Sequence, residues 1–295
     1  MTQIHNTGIV SEVPTMRDPR QVAPAGASPV APAQAGVPAG APEAPERGVF
    51  VTFEGGDGAG KTTHIRFLAN ALSAMGREVV CLREPGGTGI GESLRAMVLD
   101  PDNGEISSEA ELLMYEAARA QLVREVIRPA LERGAVVLCD RFSDSTIAYQ
   151  AYGRGLPLDF VRRANAFATG GIVPDRTILL VLGNTRKSLA RATGAGTGDR
   201  MEQAGEVFHS RVNRAFLKLA KRDPKRIRIV RSSSSRKATA AAVAAELADI
   251  LPELSARAAG ATPSQPAAPQ GAGAAKGKPQ AKRKRGGRGK RGNRG

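Results

Sequence analysis

Tryptophan is absent from this chain, and aromatic residues make up only 4% of its 295 positions. With 41% hydrophobic residues a core can still form, built mainly from aliphatic side chains. Cysteine is nearly absent too. Cys81 and Cys139 are too few for a disulfide framework or a four-ligand zinc site. Both stand in apolar runs that read as strands, so they are expected to be reduced and buried. No apolar run approaches the roughly 18 residues a membrane-spanning helix requires, which excludes an integral helical membrane protein. The N-terminal stretch lacks the basic start and apolar centre of a secretory signal, and its four acids argue against an organelle-import peptide. Histidine is scarce: only His5, His64 and His209 occur, and none stands in a motif that would make it a general base.

Acids are outnumbered, 28 against 43 Lys and Arg, for a net charge of +15. The excess is unevenly spread. Lys276–Gly295 carries ten basic residues and no acid, so this tail holds +10 and leaves +5 for everything else. Residues 1–47 show no hydrophobic period, and 18 of the 25 residues Gln21–Pro45 are Ala, Pro or Gly. Such composition favours extended conformers over helix and reads as a disordered extension. Residues 256–295 return to the same composition before the basic tail.

Between these arms, residues 48–255 read as one α/β domain. Short β-rich runs at Val49–Phe53, Glu78–Leu82, Ala135–Cys139, Thr177–Leu182 and Arg226–Val230 alternate with helical segments. The helices are expected near Thr62–Met75, Gly91–Leu99, Ser108–Arg133, Leu158–Ala168, Gly205–Lys221 and Arg236–Leu254. Strands alternating with helices imply a parallel sheet covered on both faces.

The strongest local signal is Gly55-Gly56-Asp57-Gly58-Ala59-Gly60-Lys61-Thr62, which fits G-x-x-x-x-G-K-[ST] between a strand and a helix. Glycines let successive N–H groups curl around a phosphate, and the helix N-terminus adds partial positive charge. Lys61 would reach the β- and γ-phosphates of a nucleoside triphosphate, and the Thr62 hydroxyl would ligate Mg²⁺. Asp140, at the end of the apolar run Val136–Cys139, supplies an acid beside that metal, where ligands of open α/β sheets gather. A strand-end aspartate can instead cap the next turn; the adjacent Arg141 favours the metal and phosphate reading. Arg83, Arg95 and Arg141 offer a second cationic pocket, since guanidinium forks bind phosphate oxygens bidentately. Arg83 alone could equally be a surface ion pair. Ser108 as N-cap and Glu111 three residues on read as a capping box opening a long amphipathic helix. On it, Tyr115 and Arg119 are four apart and share a face. They suit recognition of a base by stacking and hydrogen bonding, or else form a core tyrosine with a solvated arginine.

In order, the chain carries Phe53-Glu54-Gly55 through Thr63, Arg83-Glu84-Pro85-Gly86-Gly87-Thr88, Ala110–Tyr115 with Arg119, Cys139-Asp140-Arg141-Phe142 and Asp144–Gln150. Pro174-Asp175 and Asp199-Arg200-Met201-Glu202-Gln203 follow. This series resembles bacterial thymidylate kinase and covers Gly48–Leu254. The resemblance implies a P-loop NTPase three-layer fold: a five-stranded parallel sheet flanked by helices, with a mobile lid. It implies a cytoplasmic enzyme, commonly a homodimer, that phosphorylates dTMP to dTDP with ATP and Mg²⁺. By the same resemblance, Gly55–Thr62 hold the ATP phosphates, and Thr62 and Asp140 hold Mg²⁺, directly or through water. Asp57 approaches the acceptor's 3′-hydroxyl. Arg95 and Arg141 hold its phosphate, with Arg83-Glu84-Pro85 beside them. Tyr115 stacks on thymine, Arg119 lies near O4, and Thr146, Tyr149 and Gln150 complete the base pocket.

The acceptor is then a phosphate oxygen already anionic at neutral pH. No general base is needed, and charge repulsion is met by Lys and Arg. Relatives with glycine at the Gly58 position usually carry compensating arginines in the lid; here only Arg191 and Arg200 are available. Arg200, inside the Asp-Arg-x-Glu motif, is the expected transition-state cation, so that Arg200→Ala would lower turnover more than ATP affinity. The fourth strand ends Val181-Leu182-Gly183-Asn184 and the fifth Val230-Arg231, both without the usual acid. Two rival readings remain: another nucleoside monophosphate kinase, and a nucleic-acid-binding protein that retains a P-loop. The tail has no aromatic residue, so any RNA or DNA contact it makes would be electrostatic and salt-sensitive.

Overall fold

The computed structural model describes residues 47–182 and 198–258. Its centre is β1 (Phe50–Glu54), every residue of which is buried. β2 (Val79–Arg83), β3 (Val136–Asp140), β4 (Arg176–Leu182) and β5 (Ile227–Ser232) complete a five-stranded parallel sheet in the order β2-β3-β1-β4-β5.

Alternation along the strands divides the core in two. Val51, Phe53, Val136, Leu138, Ile178 and Leu180 face one side. There they meet Ile65, Leu68 and Leu72 of α1 (Lys61–Ser73), Val243 of α8 (Arg236–Ala245), and Leu247 and Leu251 beyond it. On the other side Phe50, Val137 and Cys139 pack against Leu122, Val123 and Ile127. Leu179 and Ile227 pack against Val212, Phe216 and Leu219 of α7 (Glu206–Arg222). This is the three-layer arrangement expected. The remaining elements are α2 (Gly89–Leu99), α3 (Ser108–Leu122), α4 (Arg128–Glu132), α5 (Ser143–Thr146), α6 (Leu158–Thr169) and α9 (Glu253–Ala258). Among the described residues, no helix is long and apolar enough to cross a membrane.

The long helix expected over Ser108–Arg133 is present but widens into a π-helical turn at Val123–Ile127 between α3 and α4. Pro129 lies in the first turn of α4 and has no N–H to give the preceding turn, so the ladder is re-spaced there.

Three expectations need correction. Cys81 is exposed, because β2 is an edge strand with one partner, whereas Cys139 on β3 is buried. The helix cap is Ser107, whose Oγ accepts from Ala110 N at 3.2 Å, so no capping box forms and Glu111 is released for another task. The expected helix Arg236–Leu254 breaks after Ala245. Pro252 cannot continue it, and Arg176 Nη1 takes the Glu246 carbonyl at 3.0 Å. The other available lid arginine, Arg191, and the strand end Gly183-Asn184 lie outside the described residues.

Candidate active site

The parallel order brings the carboxyl ends of β1, β2 and β3 to one rim, and the loops that follow them enclose a cavity of ≈ 470 Å³. After β1 the chain crosses β4 so closely that a Cβ on Gly55 would lie 2.2 Å from the Leu180 carbonyl oxygen. Gly60, left-handed at φ +91°, then turns the loop into α1. Lys61 begins that helix at 8% exposure, with Nζ donating to the carbonyls of Gly55 and Gly56 at 3.2 and 3.1 Å. Burial, then the charge of Arg141, lowers its pKa to about 8. Thr62 Oγ1 donates to Asp140 Oδ2 at 2.7 Å, joining the loop to the end of β3.

Arg141 follows with φ +70°, the one left-handed non-glycine among the described residues. That turn is held from β1. Buried Glu54 accepts from Phe142 N at 2.9 Å, Ser145 N at 3.2 Å and Ser145 Oγ at 2.6 Å. Burial, with the charge of Asp144 beside it, raises the Glu54 carboxyl to about 7. So held, Arg141 pairs with Asp57 and lies 5.2 Å from the centre of the Tyr149 ring. Burial pushes the Asp57 carboxyl up, but Arg141 and Lys61 outweigh it and hold it below the usual range.

The second loop carries a cis Glu84-Pro85 bond. Arg83 and Arg95 both donate to the Pro85 carbonyl, at 3.0 and 2.9 Å. Arg83 also pairs with Glu92 at 2.8 Å and lines the cavity.

Arg119, expected to be either solvated or base-facing, is 1% exposed. It donates through Nε and Nη2 to Glu84, and through Nη1 to Glu116, Thr146 and Asn165. Burial pushes the Glu84 carboxyl up, with Arg119 opposing. Tyr115 is half-buried one turn before Arg119, and both line the cavity with Thr146, Tyr149 and Gln150.

The predicted residues that meet around this cavity are therefore Asp57 to Thr62 of the loop (Ala59 excepted), the three acceptor-side arginines, Glu84, Pro85, Asp140 and the base-pocket set. Gly55 and Gly56 shape the loop without lining the cavity. Ala59 faces a neighbouring hollow with Ser232–Ser234 and Arg236, on the other side of the loop. No pattern in the sequence pointed to those serines.

Arg200, the expected transition-state cation, is held outside the cavity in this structure. Its Nη2 donates to Glu111, and its Nε to the Val98 carbonyl at 2.8 Å, and it does not line the cavity. A buried carboxylate without a cation is costly, and Glu111 draws the guanidinium inward. Asp199 and Glu202 from the same motif line the cavity instead, as does Ser145. The Asp-Arg-x-Glu pattern was the signal for both acids, but the expectation attached to its arginine.

The protein-family model described as thymidylate kinase matches residues 53–243. A thymidylate kinase of Gloeobacter violaceus is 50% identical over 194 residues, covering 65% of this chain and 91% of that protein. One from Exiguobacterium sibiricum is 48% identical over 188 residues, covering 64% and 88%. Among solved structures, the crystal structure of thymidylate kinase from Ehrlichia chaffeensis aligns with a TM-score of 0.57 and 31% identity. That alignment covers 68% of this chain and 99% of that one.

Proposed function

The chain belongs to the thymidylate kinase family, and we propose how its cavity moves a phosphoryl group from ATP to dTMP. The reaction is ATP + dTMP → ADP + dTDP. One observation carries the reading: the phosphate loop, Arg83, Arg95 and Arg141, and a buried polar wall all line the same cavity.

ATP lays its phosphates on Gly55–Thr62, and Lys61 exchanges the two carbonyls it now touches for β- and γ-oxygens. Arg95 and Arg141 hold the acceptor phosphate, and Asp57 turns from Arg141 toward the 3′-hydroxyl. Tyr115 stacks on the base, while Arg119, Thr146, Tyr149 and Gln150 form its edge and floor. Each acts by position and charge. The attacking oxygen is already anionic, so no side chain removes a proton.

Thr62 and Asp140 suit Mg²⁺, offering hard oxygen donors 2.7 Å apart at the loop. Among the described residues no cluster of three His, Cys, Asp or Glu forms a closed cage. That fits a cation completed by water and substrate phosphates. When bound, Mg²⁺ neutralises charge on the β- and γ-phosphates.

The test is an adenosine–thymidine bisubstrate, its nucleosides joined by a polyphosphate bridge. It should inhibit competitively against both ATP and dTMP. Competition against ATP alone would place the acceptor elsewhere.

Two further readings concern partners. The adjacent helices α3 and α6 leave Leu113, Phe160 and Phe167 exposed, Phe167 to 89%. This apolar surface favours a homodimer, in the cytoplasm beside the nucleotide pool. The tail favours a non-specific electrostatic contact with RNA or DNA. Sedimentation of the full chain at two salt concentrations, with and without RNA, tests both. The expected outcome is a dimer mass that persists at high salt and an RNA-bound mass that disperses. A monomer throughout, or salt-insensitive RNA binding, contradicts the respective reading.

A further inference from the structure

Glu111 is fully buried and does not line the cavity, yet it is the acceptor for three residues around it. Gln150 Nε2 donates to its Oε1 at 2.9 Å. Arg154 donates through Nε and Nη2 at 3.1 and 2.9 Å, and Arg200 through Nη2. Burial pushes the carboxyl up, but the hydrogen bonds from Arg154 and Gln150 and the charge of Arg154 outweigh it, so it stays ionised.

An ionised carboxylate only accepts, so the Gln150 amide must turn its nitrogen toward Glu111. The carbonyl oxygen is what remains. Gln150 is 2% exposed and lines the cavity. Among the described residues its Oε1 accepts no hydrogen bond, and it is not among the buried polar atoms without a partner. With the nitrogen committed to Glu111, the oxygen is the amide atom left to face the cavity that Gln150 lines.

The neighbouring groups are fixed in the same way. A guanidinium has five N–H groups. Arg119 spends Nε–H and one Nη2–H on Glu84, and both Nη1–H on Glu116, Thr146 and Asn165. One Nη2–H is left. The Thr146 oxygen accepts from Arg119, leaving its own proton to donate. The wall thus presents donors from Arg119 and Thr146 and an acceptor from Gln150.

Thymine and uracil carry acceptor O4, donor N3–H and acceptor O2 along their pairing edge. Cytosine carries a donor N4–H₂ and an acceptor N3, the opposite order at two of three positions. We infer that Glu111 is a specificity-determining positioning residue: by pinning the Gln150 amide with its oxygen toward the base, it selects acceptors with N3–H over cytosine. This rests on the reading that the base lies between Tyr115 and Gln150.

The test measures kcat and KM for dTMP and dCMP in the full chain, with wild type, Glu111→Gln, Gln150→Met, the double variant and Arg200→Ala. Glutamine at 111 both donates and accepts, so the Gln150 amide is free to flip. Glu111→Gln should raise the dTMP KM, leave kcat within about threefold, and narrow the dTMP-over-dCMP preference by about tenfold, the scale of one misdirected buried hydrogen bond. In the Gln150→Met background it should add no further narrowing. Arg200→Ala removes a different donor from Glu111 and should keep the wild-type preference. Glu111→Asp retains the charge but withdraws from Gln150 and should narrow the preference too, should the glutamine variant fail to fold. If Gln150→Met narrows the preference and neither Glu111 variant does, Glu111 does not orient the amide. If Gln150→Met leaves the dTMP KM unchanged, the base does not sit there, and the placement of the pocket falls first.

Discussion

Lys61 shows how burial tunes a single phosphate-binding residue. Its amine, buried against its own loop and beside Arg141, titrates at about 8 instead of 10.5. A depressed lysine pKa means the charge is present below about 8 and is lost as pH rises through it. In the free enzyme kcat/KM for ATP should fall about tenfold per unit above pH 8. The phosphates restore the charge in the complex, so kcat should hold to higher pH. A kcat/KM profile flat to pH 9.5 would contradict this account. At this scale the sequence was legible where a motif defines an atom's neighbours, as for Lys61, Thr62 and Asp140. It was not legible where several distant residues compete for one side chain. Arg200 is adjacent to Asp199 in the chain, but Glu111 decides where its guanidinium goes. Arg119 follows the same logic, held by Glu84 from 35 positions away.

Ser143–Gly153 is the element that sequence pattern left unassigned, and tertiary contacts build it. Its short, β-branched and polar residues have little intrinsic helix preference. Glu54 supplies the acceptor for two N–H groups at the start, and α7 packs against the π-helical part, Ile147–Gly153. That packing leaves no room at Gly153, where an added Cβ would lie 2.6 Å from the Phe208 ring. The same ring meets Tyr149 edge-on at 5.9 Å. Gly153→Ala should therefore cost about 1–3 kcal/mol by overpacking and raise the dTMP KM through the displaced Tyr149. Urea unfolding with dTMP kinetics checks this; unchanged values in both would show that Phe208 moves aside freely. The five strands, by contrast, were legible to within a residue or two: the inner strands need apolar runs whatever surrounds them, and the half-exposed edge strand β2 still carries the β-branched and apolar run Val79–Leu82. The break after Ala245 was not: alanine-rich sequence reads as continuous helix, and the claim of Arg176 on the Glu246 carbonyl comes from 70 positions away.

Charge is a property of the whole chain, and its distribution is sharper than tail against body. Residues 47–205 hold 19 Lys and Arg and 19 Asp and Glu, and so are neutral. Residues 206–237 hold eleven basic residues and two acids, on α7, β5 and the start of α8. The catalytic half is thus balanced overall, and its function depends on where a few cations stand. Those cations converge on one cavity, and that convergence is what should make dTMP the preferred acceptor. A coupled ADP-release assay with thymidine, dTMP, dUMP, dCMP and AMP tests it most directly. dTMP should give the highest kcat/KM and dUMP should follow. dCMP and AMP should fall about a hundredfold or more below dTMP, as expected for a wall that leaves buried polar groups mispaired. Thymidine, which brings no phosphate oxygen to Arg95 and Arg141, should not turn over. Equal turnover of AMP or dCMP, or phosphorylation of thymidine, would contradict it.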